Sequence, residues 1–527
     1  MRCLKKLQKP FTGECNKRGL DLRGADLFTT IILLLLFWSA LFSSHPQHTA
    51  ILGVIPTPQL EKYGEDMICL AEPAEPVFIS VSGSDPATGA IGQGLALLSG
   101  RLEFLGKWGI RARKNGETPN IVLQTCSAQK LHSIIRSQTN GKSIQGERLL
   151  QACALRAQSS PKNRPLVTIH ACSDLGIYYG LVSLCQLLQR NESGQLCLPA
   201  VTLADWPEIA LRLAHANLYP RNNLKKVRRF YRWLSLYKIN WFGFHFFGKK
   251  MGDMKHFGEK ARSDLLTIFT ETDTSGVLHA VPYFNPFKGP NHYDFSKAKD
   301  KSHYVQQLDW FLDHGAKGVE IDYNDHGNDI NYPIDKLVNF VFSEIVKKHK
   351  DAIIIFCPPS KGAVRYWTPA TPEMATLVSN MPANILTVWT GPDTSMYPLY
   401  KLTPDRIRSN WTDITGQKPF FWLNRVCLGS HFSRPLQEIP GAHVFRGELL
   451  PTELSQLFRG IQLHTGIKAE QNGTPYKNLP EGRYSAKANA YLATAADYVW
   501  NPHDWDAVES YKRARRFAKI MMPLMQE

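Results

Sequence analysis

Several signatures are missing from this chain, and each absence removes a class of function. Its ten cysteines include no CxxC pair and no Cys/His spacing of the zinc type. No metal or other cofactor is therefore expected. No Gly-rich phosphate loop follows the first strand of its alternating segment, which argues against a dinucleotide or P-loop fold. No stretch interleaves Lys and Arg with aromatic residues in a nucleic-acid motif. The net charge of +16 then reads as a basic surface, or as affinity for anionic envelopes, and no nucleic-acid partner is expected. Long disorder is also not expected, because apolar residues make up 43% of the chain and recur throughout. A length of 527 residues predicts two or three domains.

The N-terminus carries the strongest targeting signal. Residues 27–42, LFTTIILLLLFWSALF, are nearly all apolar, and residues 1–26 ahead of them hold Arg2, Lys5, Lys6, Lys9, Lys17, Arg18 and Arg23. A spanning helix takes roughly 20 residues. A cleaved signal peptide fits the apolar length, but the front region is long and SALFSS is a poor cleavage site. The segment 27–45 is read as a signal anchor, with a cleaved signal peptide as the alternative and a buried core helix as the third reading. Under either of the first two, everything after His45 is exported, membrane-anchored or secreted. Six of the cysteines fall between residues 69 and 197, where an exported domain can form disulfides.

Residues 46–205 read as one α+β unit. PVFISVSG and PNIVLQT are rich in β-branched residues and predict strands. PLVTIHACSDLGIYYGLVSLCQLLQ predicts a strand, a turn at Ser173–Asp174 and a helix whose one face collects Ile177, Gly180, Leu181, Leu184, Leu187 and Leu188. Beyond Pro207 strands and helices alternate. ALRLAHANLY, INWFGFHFF, GVLHAVPYF, KGVEIDY, AIIIFCP, NILTVWTGP and PFFWLN are strands. LKKVRRFYRWLSLYK, YVQQLDWFLDHG and PIDKLVNFVFSEIVKKHK are helices. This repetition argues for parallel βα units. The expected fold class is α/β: a (β/α)8 TIM barrel over 206–470, preceded by the small α+β accessory domain and followed by a helical region at 471–527. A doubly wound open sheet is the second choice.

In such a barrel the chemistry lies where strands run into loops. The predicted strand ends carry Lys, Asn, Asp and aromatic residues, a mixture that suits a sugar. GVEIDYNDHGND, residues 318–329, is the richest of them. Alternation along the strand puts Glu320, Asp322 and Asn324 on one face and Val319, Ile321 and Tyr323 on the other, with Asp325 just past the end. Two such groups at a strand end can divide the work of glycoside cleavage, one giving a proton and the other stabilising positive charge. Asp325 is placed as the donor, with Asp322 or Asn324 as its partner. Against this, Asp and Asn are ordinary turn and cap residues, and Glu320 and Asp322 can be paired with Lys or Arg in a polar barrel interior.

Taken in order, VIPTPQ, VTIHACSDLGIYYGLVSLCQLL, LPAVTLADWPEI, LSLYKINWFGFHFFGKK, GAKGVEIDYNDH, IIIFCPP, ILTVWTGP, PFFWLN and AYLATAADYVWNP resemble glycoside hydrolase family 84, the β-N-acetylglucosaminidase family, over residues 50–515. The accessory part resembles the domain that families 84 and 20 share. The resemblance implies a substrate-assisted, retaining hydrolysis in which the 2-acetamido oxygen of the sugar attacks the anomeric carbon. It implies Asp325 as acid/base, and Asn324 at the position of the aspartate that holds the acetamido N–H. It places Lys249, Trp389, Asn424 and Lys361 in the substrate pocket. Asn324 is neutral where the family has a carboxylate, Lys361 stands at a pocket tyrosine, and Leu423 replaces the middle Asp of Trp-Asp-Asn. A neutral Asn324 loses a charge-assisted bond to the cationic intermediate. The expected partner is a glycan or glycoconjugate, together with a membrane reached through the N-terminal segment. Hydrolysis of terminal β-N-acetylhexosaminides is the leading reading, and a non-hydrolytic carbohydrate-binding protein is its rival. A third reading pairs Asp322 directly with Asp325.

Overall fold

The computed structural model describes residues 53–114, 117–159, 165–217, 224–245, 259–285, 293–323, 334–359, 369–382, 384–391, 404–423, 454–468, 470–471, 474–475, 490–502 and 505–525. The apolar segment 27–42 lies outside them. Among the described residues no helix is long and apolar enough to cross a membrane.

The accessory part is built on an eight-stranded mixed sheet. Its strands are β1 (Leu60–Ala71), β2 (Val77–Ser82), β3 (Ile110–Ala112), β4 (Ile121–Thr125), β5 (Cys153–Ser159), β6 (Pro165–Ala171), β7 (Gln189–Arg190) and β8 (Leu196–Asp205). They run in the order β1-β8-β5-β6-β4-β2-β3, with β7 on β8. A disulfide joins Cys69 to Cys197, which face each other across the antiparallel β1–β8 pair. Helices α1 (Gly89–Gly106), α2 (Ala128–Gln138) and α3 (Asp174–Leu187) cover the sheet.

Ser173 starts α3 by accepting a hydrogen bond from the Gly176 amide at 3.1 Å. The residues expected to share an apolar face are all buried, and the opposite face is buried as well. Every residue from Gly176 to Leu187 is buried, because α3 lies between the sheet on one side and the barrel's helix layer on the other. One continuous apolar core accordingly runs from the sheet into that layer.

The second part is a closed barrel of eight parallel strands in sequential order. They are β9 (Arg212–Asn217), β10 (Trp241–His245), β11 (His279–Phe284), β12 (Gly318–Asp322), β13 (Ile353–Cys357), β14 (Ile385–Trp389), β15 (Phe420–Leu423) and β16 (Gly460–Lys468). Pairing of β16 with β9 completes the ring. Helices α4 (Leu224–Leu236), α5 (Glu259–Ser275), α6 (Ala298–Asp313), α7 (Ile334–Lys348) and α8 (Pro372–Ser379) stand between successive strands. Two further helices, Ala490–Trp500 and Ala507–Met521, follow the barrel. The TIM barrel with an α+β accessory domain and a helical C-terminus is thus the fold. The doubly wound alternative is excluded by closure.

The barrel register sorts side chains into two sets. Leu213, Trp241, Val281, Ile355, Val388 and Phe420 share one face and pack together as a separate interior core. Their strand neighbours Phe242, Val319, Ile321, Phe356 and Phe421 join the outer core beneath the helices. This strict alternation decides which polar residues can reach the mouth.

Candidate active site

β12 follows the expected alternation. Val319, Ile321 and Tyr323 are buried in the outer core, and Glu320 and Asp322 face the barrel interior in register with Ile355 and Cys357. Asp322 closes the strand at its C-terminal end. It is 2% exposed, and one of its carboxylate oxygens accepts a hydrogen bond from Asn285 Nδ2 at 3.4 Å. Asn285 lies one residue past the end of β11. The pair therefore comes from adjacent strand ends, where a barrel places its reactive groups.

Glu320 lies one pleat repeat deeper, roughly 6–7 Å along the strand. It is completely buried. Gln462 of β16 reaches across the barrel, and its Nε2 donates to both carboxyl oxygens at 3.0 and 3.2 Å. The alternative of a Lys or Arg partner is corrected for Glu320, because the partner found is a neutral amide. Burial pushes its carboxyl up to about 8, and the Gln462 hydrogen bond offsets only part of that. Glu320 is therefore largely protonated at neutral pH. Nearby on the inward face, the His215 ring of β9 stacks on Tyr283 of β11 with centroids 4.9 Å apart. Trp422 of β15 lies 6.3 Å from the His215 ring.

Of the sequence-predicted site residues, Asp322 and Trp389 are described. Asp322 is inside the barrel. Trp389 takes the opposite parity to Val388, is fully buried in the outer core, and packs against Trp411 at 5.4 Å. As placed, its ring fills the helix layer. Asn324, Asp325, Lys249, Lys361 and Asn424 lie outside the described residues. Sequence reasoning missed Asn285, Gln462, His215 and Tyr283. The Asn-Pro after β11 was a usable signal for Asn285. Nothing local marks Gln462. No group of three or more His, Cys, Asp or Glu among the described residues is arranged to hold a metal ion.

An α+β domain followed by a closed (β/α)8 barrel, with an inward-facing acid at the end of the fourth strand, places the chain in the TIM-barrel class of α/β proteins. No family model matches the sequence, and no curated protein matches it. Solved structures supply the likeness. CpGH84D matches with a TM-score of 0.61 at 16% identity, covering 89% of this chain and 72% of its own. The β-N-acetylhexosaminidase of Bacteroides fragilis matches with a TM-score of 0.60 at 12% identity, covering 90% of this chain and 96% of its own. The Flavobacterium johnsoniae chitobiase FjGH20 matches with a TM-score of 0.60 at 16% identity, covering 90% of this chain and 73% of its own. At such identities the likeness shows the fold, and the chain shares it with family 84 and family 20 enzymes.

Proposed function

We propose that the protein is a glycoside hydrolase acting on terminal β-N-acetylhexosaminides by the substrate-assisted, retaining route. The observation that carries this reading is the inward, buried Asp322 at the C-terminal end of the fourth barrel strand. In the sequence Asp322 opens the run Asp322-Tyr323-Asn324-Asp325, which supports this reading. Support comes from the shared fold with enzymes named β-N-acetylhexosaminidase and chitobiase. In this reading Asp325 protonates the leaving oxygen and later activates water. Asn324 accepts the acetamido N–H through its carbonyl, Asp322 supplies the nearest fixed negative charge, and Lys249, Lys361 and Asn424 hold sugar hydroxyls.

The test is turnover of a chromogenic β-N-acetylglucosaminide by the full-length protein. Asp325→Asn is expected to abolish it. Asn324→Asp is expected to leave it or raise it, because it restores charge opposite the oxazolinium. Turnover indifferent to both changes would end the assignment. A direct Asp322–Asp325 pair predicts instead that Asp322→Asn is as damaging as Asp325→Asn, with carboxyls ~5 Å apart for a covalent route or ~6.5–9.5 Å apart for inversion. The neutral Asn324 favours a second reading, a carbohydrate-binding protein without turnover. Tight binding of an oxazoline-mimicking inhibitor with no product would support it. We also read the large domain as exported and tethered by residues 27–42. The Cys69–Cys197 disulfide supports an oxidising compartment.

A further inference from the structure

Helix α4 carries Lys225, Arg228, Arg229 and Arg232 at relative positions i, i+3, i+4 and i+7, the spacing that lines side chains along one helix face. Its other positions Val227, Phe230, Tyr231, Trp233 and Leu234 are buried against the molecule. The cationic stripe borders a cleft of about 550 Å³. The rest of the lining includes Gln93 and Leu97 of α1 and Leu524 near the C-terminus. Tyr178 and Ser235 are buried members of the lining, with their hydroxyls 2.8 Å apart. No Asp or Glu is among the described residues that line it. Outside the lining, Glu271 accepts from Arg228 Nε at 2.9 Å and from the Tyr231 hydroxyl, which fixes Arg228 in place.

Seven residues of helix rise roughly 10 Å. The stripe therefore matches a chain bearing negative groups at intervals better than one small anion. We propose that this cleft binds an acidic oligosaccharide, a run of sugars carrying sulfate or carboxylate groups. Arg and Lys at this density select oxyanions by charge and by paired N–H donors. The Gln93 amide and the Ser235 hydroxyl suit a hydroxyl-rich chain. Among the described residues of the lining the one aromatic, Tyr178, is 3% exposed, so these residues offer stacked bases no platform. A concave cleft also fits a flexible oligomer better than a bilayer surface. The choice of sugar over other polyanions rests on the glycosidase-like reading of the barrel. The cleft itself lies among helices, away from the barrel interior. It would hold an acidic polymer on the protein while the barrel mouth acts elsewhere on it.

The experiment measures binding of a fluorescently labelled heparin-derived octasaccharide to the full-length protein by anisotropy, with a neutral chito-oligosaccharide as control. Lys225 and Arg232 are exposed, so the double variant K225A/R232A keeps the fold, which a thermal melt verifies. It is expected to bind the octasaccharide about tenfold more weakly and with a shallower salt dependence. The variant K297A/K347A removes the same charge from two other exposed positions and is expected to bind like the parent. No binding by the parent, or equal loss in both variants, overturns the proposal. Tighter binding of duplex DNA or of anionic phospholipid vesicles, lost on K225A/R232A, overturns the sugar assignment. Anisotropy needs no turnover, so an inactive barrel and an empty cleft are separate results.

Discussion

Glu320 is a carboxyl wholly enclosed by the barrel, with one amide for company. Its group titrates near 4.5 in the unfolded chain and near 8 in the folded one, chiefly because burial disfavours the charge. Between those values the folded state holds a proton that the unfolded state has lost. Its contribution to stability is therefore complete below pH 4.5 and disappears as the pH rises to about 8. Replacing it with an amide removes that slope. Glu320→Gln is expected to match the parent at acid pH and to exceed it by a few kcal/mol above pH 8, at about 1.4 kcal/mol per unit. The Gln462 Oε1 atom, buried and unpartnered, can receive the new amide after rotation of its own. Melting temperatures of both proteins between pH 5 and 9 check this, and parallel curves would refute a buried neutral acid. The inward set of 320 and 322 was legible from the sequence because a strand alternates with a fixed period. Gln462 was not, since it stands 142 residues from Glu320 and only barrel closure joins them. Trp389 shows the opposite failure. Its motif pointed to the pocket, yet parity turns the ring toward Trp411.

At the scale of elements, packing distances decide what a helix tolerates. A Cβ on Gly176 would meet the Ala152 carbonyl oxygen at 2.4 Å, and one on Gly180 would meet Ile169 Cγ2 at 2.5 Å. These two glycines let α3 lie directly on β5 and β6. Gly176→Ala is expected to cost about 1–3 kcal/mol, since it overpacks against backbone that cannot step aside. Gly100→Ala is the control. It sits in α1 with nothing within 4 Å of the added carbon, and is expected to be neutral or slightly stabilising. Urea midpoints of the two variants decide the matter, and equal shifts would remove close packing as the reason for Gly176. The same elements show what the sequence could reveal. Seven of the eight barrel strands were legible as short β-branched or aromatic runs. The eighth, β16, was not, because Gly460 and Gln462 take its first inward positions, which leaves only Ile461 and Leu463 as apolar signal in its first half. Strand β1 escaped for a similar reason. Residues Glu65 and Asp66 interrupt it, and its register shifts between Tyr63 and Met67. Helix α5 was masked by a polar stretch, TETDTS, at its C-terminal end.

At the scale of the whole molecule, one buried cluster joins the two parts. Asp205, at the end of β8, accepts from Lys238 Nζ at 2.5 Å and from Trp500 Nε1 at 2.6 Å. Lys238, in the connection from α4 to β10, also donates to Ser183 of α3 at 3.0 Å. The Lys238 and Arg212 cations lie 4.7 and 4.8 Å from the centroid of the Trp500 ring. Burial brings the Arg212 guanidinium down to about 10, still charged at neutral pH. Asp205 is thus the anion that the enclosed Lys238 cation and the Trp500 indole N–H share, while Arg212 feels its charge and is held by backbone carbonyls, Gln151 and Tyr179. Its four contributing segments are the accessory sheet, helix α3, the barrel and the C-terminal helix. Removing one partner of such a pair strands the other charge in a low-dielectric interior, at a cost of about 3–5 kcal/mol. Asp205→Ala is therefore expected to lower the melting temperature sharply, and to do so in a single transition seen together by far-ultraviolet dichroism and tryptophan fluorescence. The paired change Asp205→Leu with Lys238→Met, which removes both charges and keeps their volume, is expected to recover most of the loss. Two separated transitions, of which only one moves, would mean that the accessory sheet and the barrel fold independently and that this cluster is not what couples them.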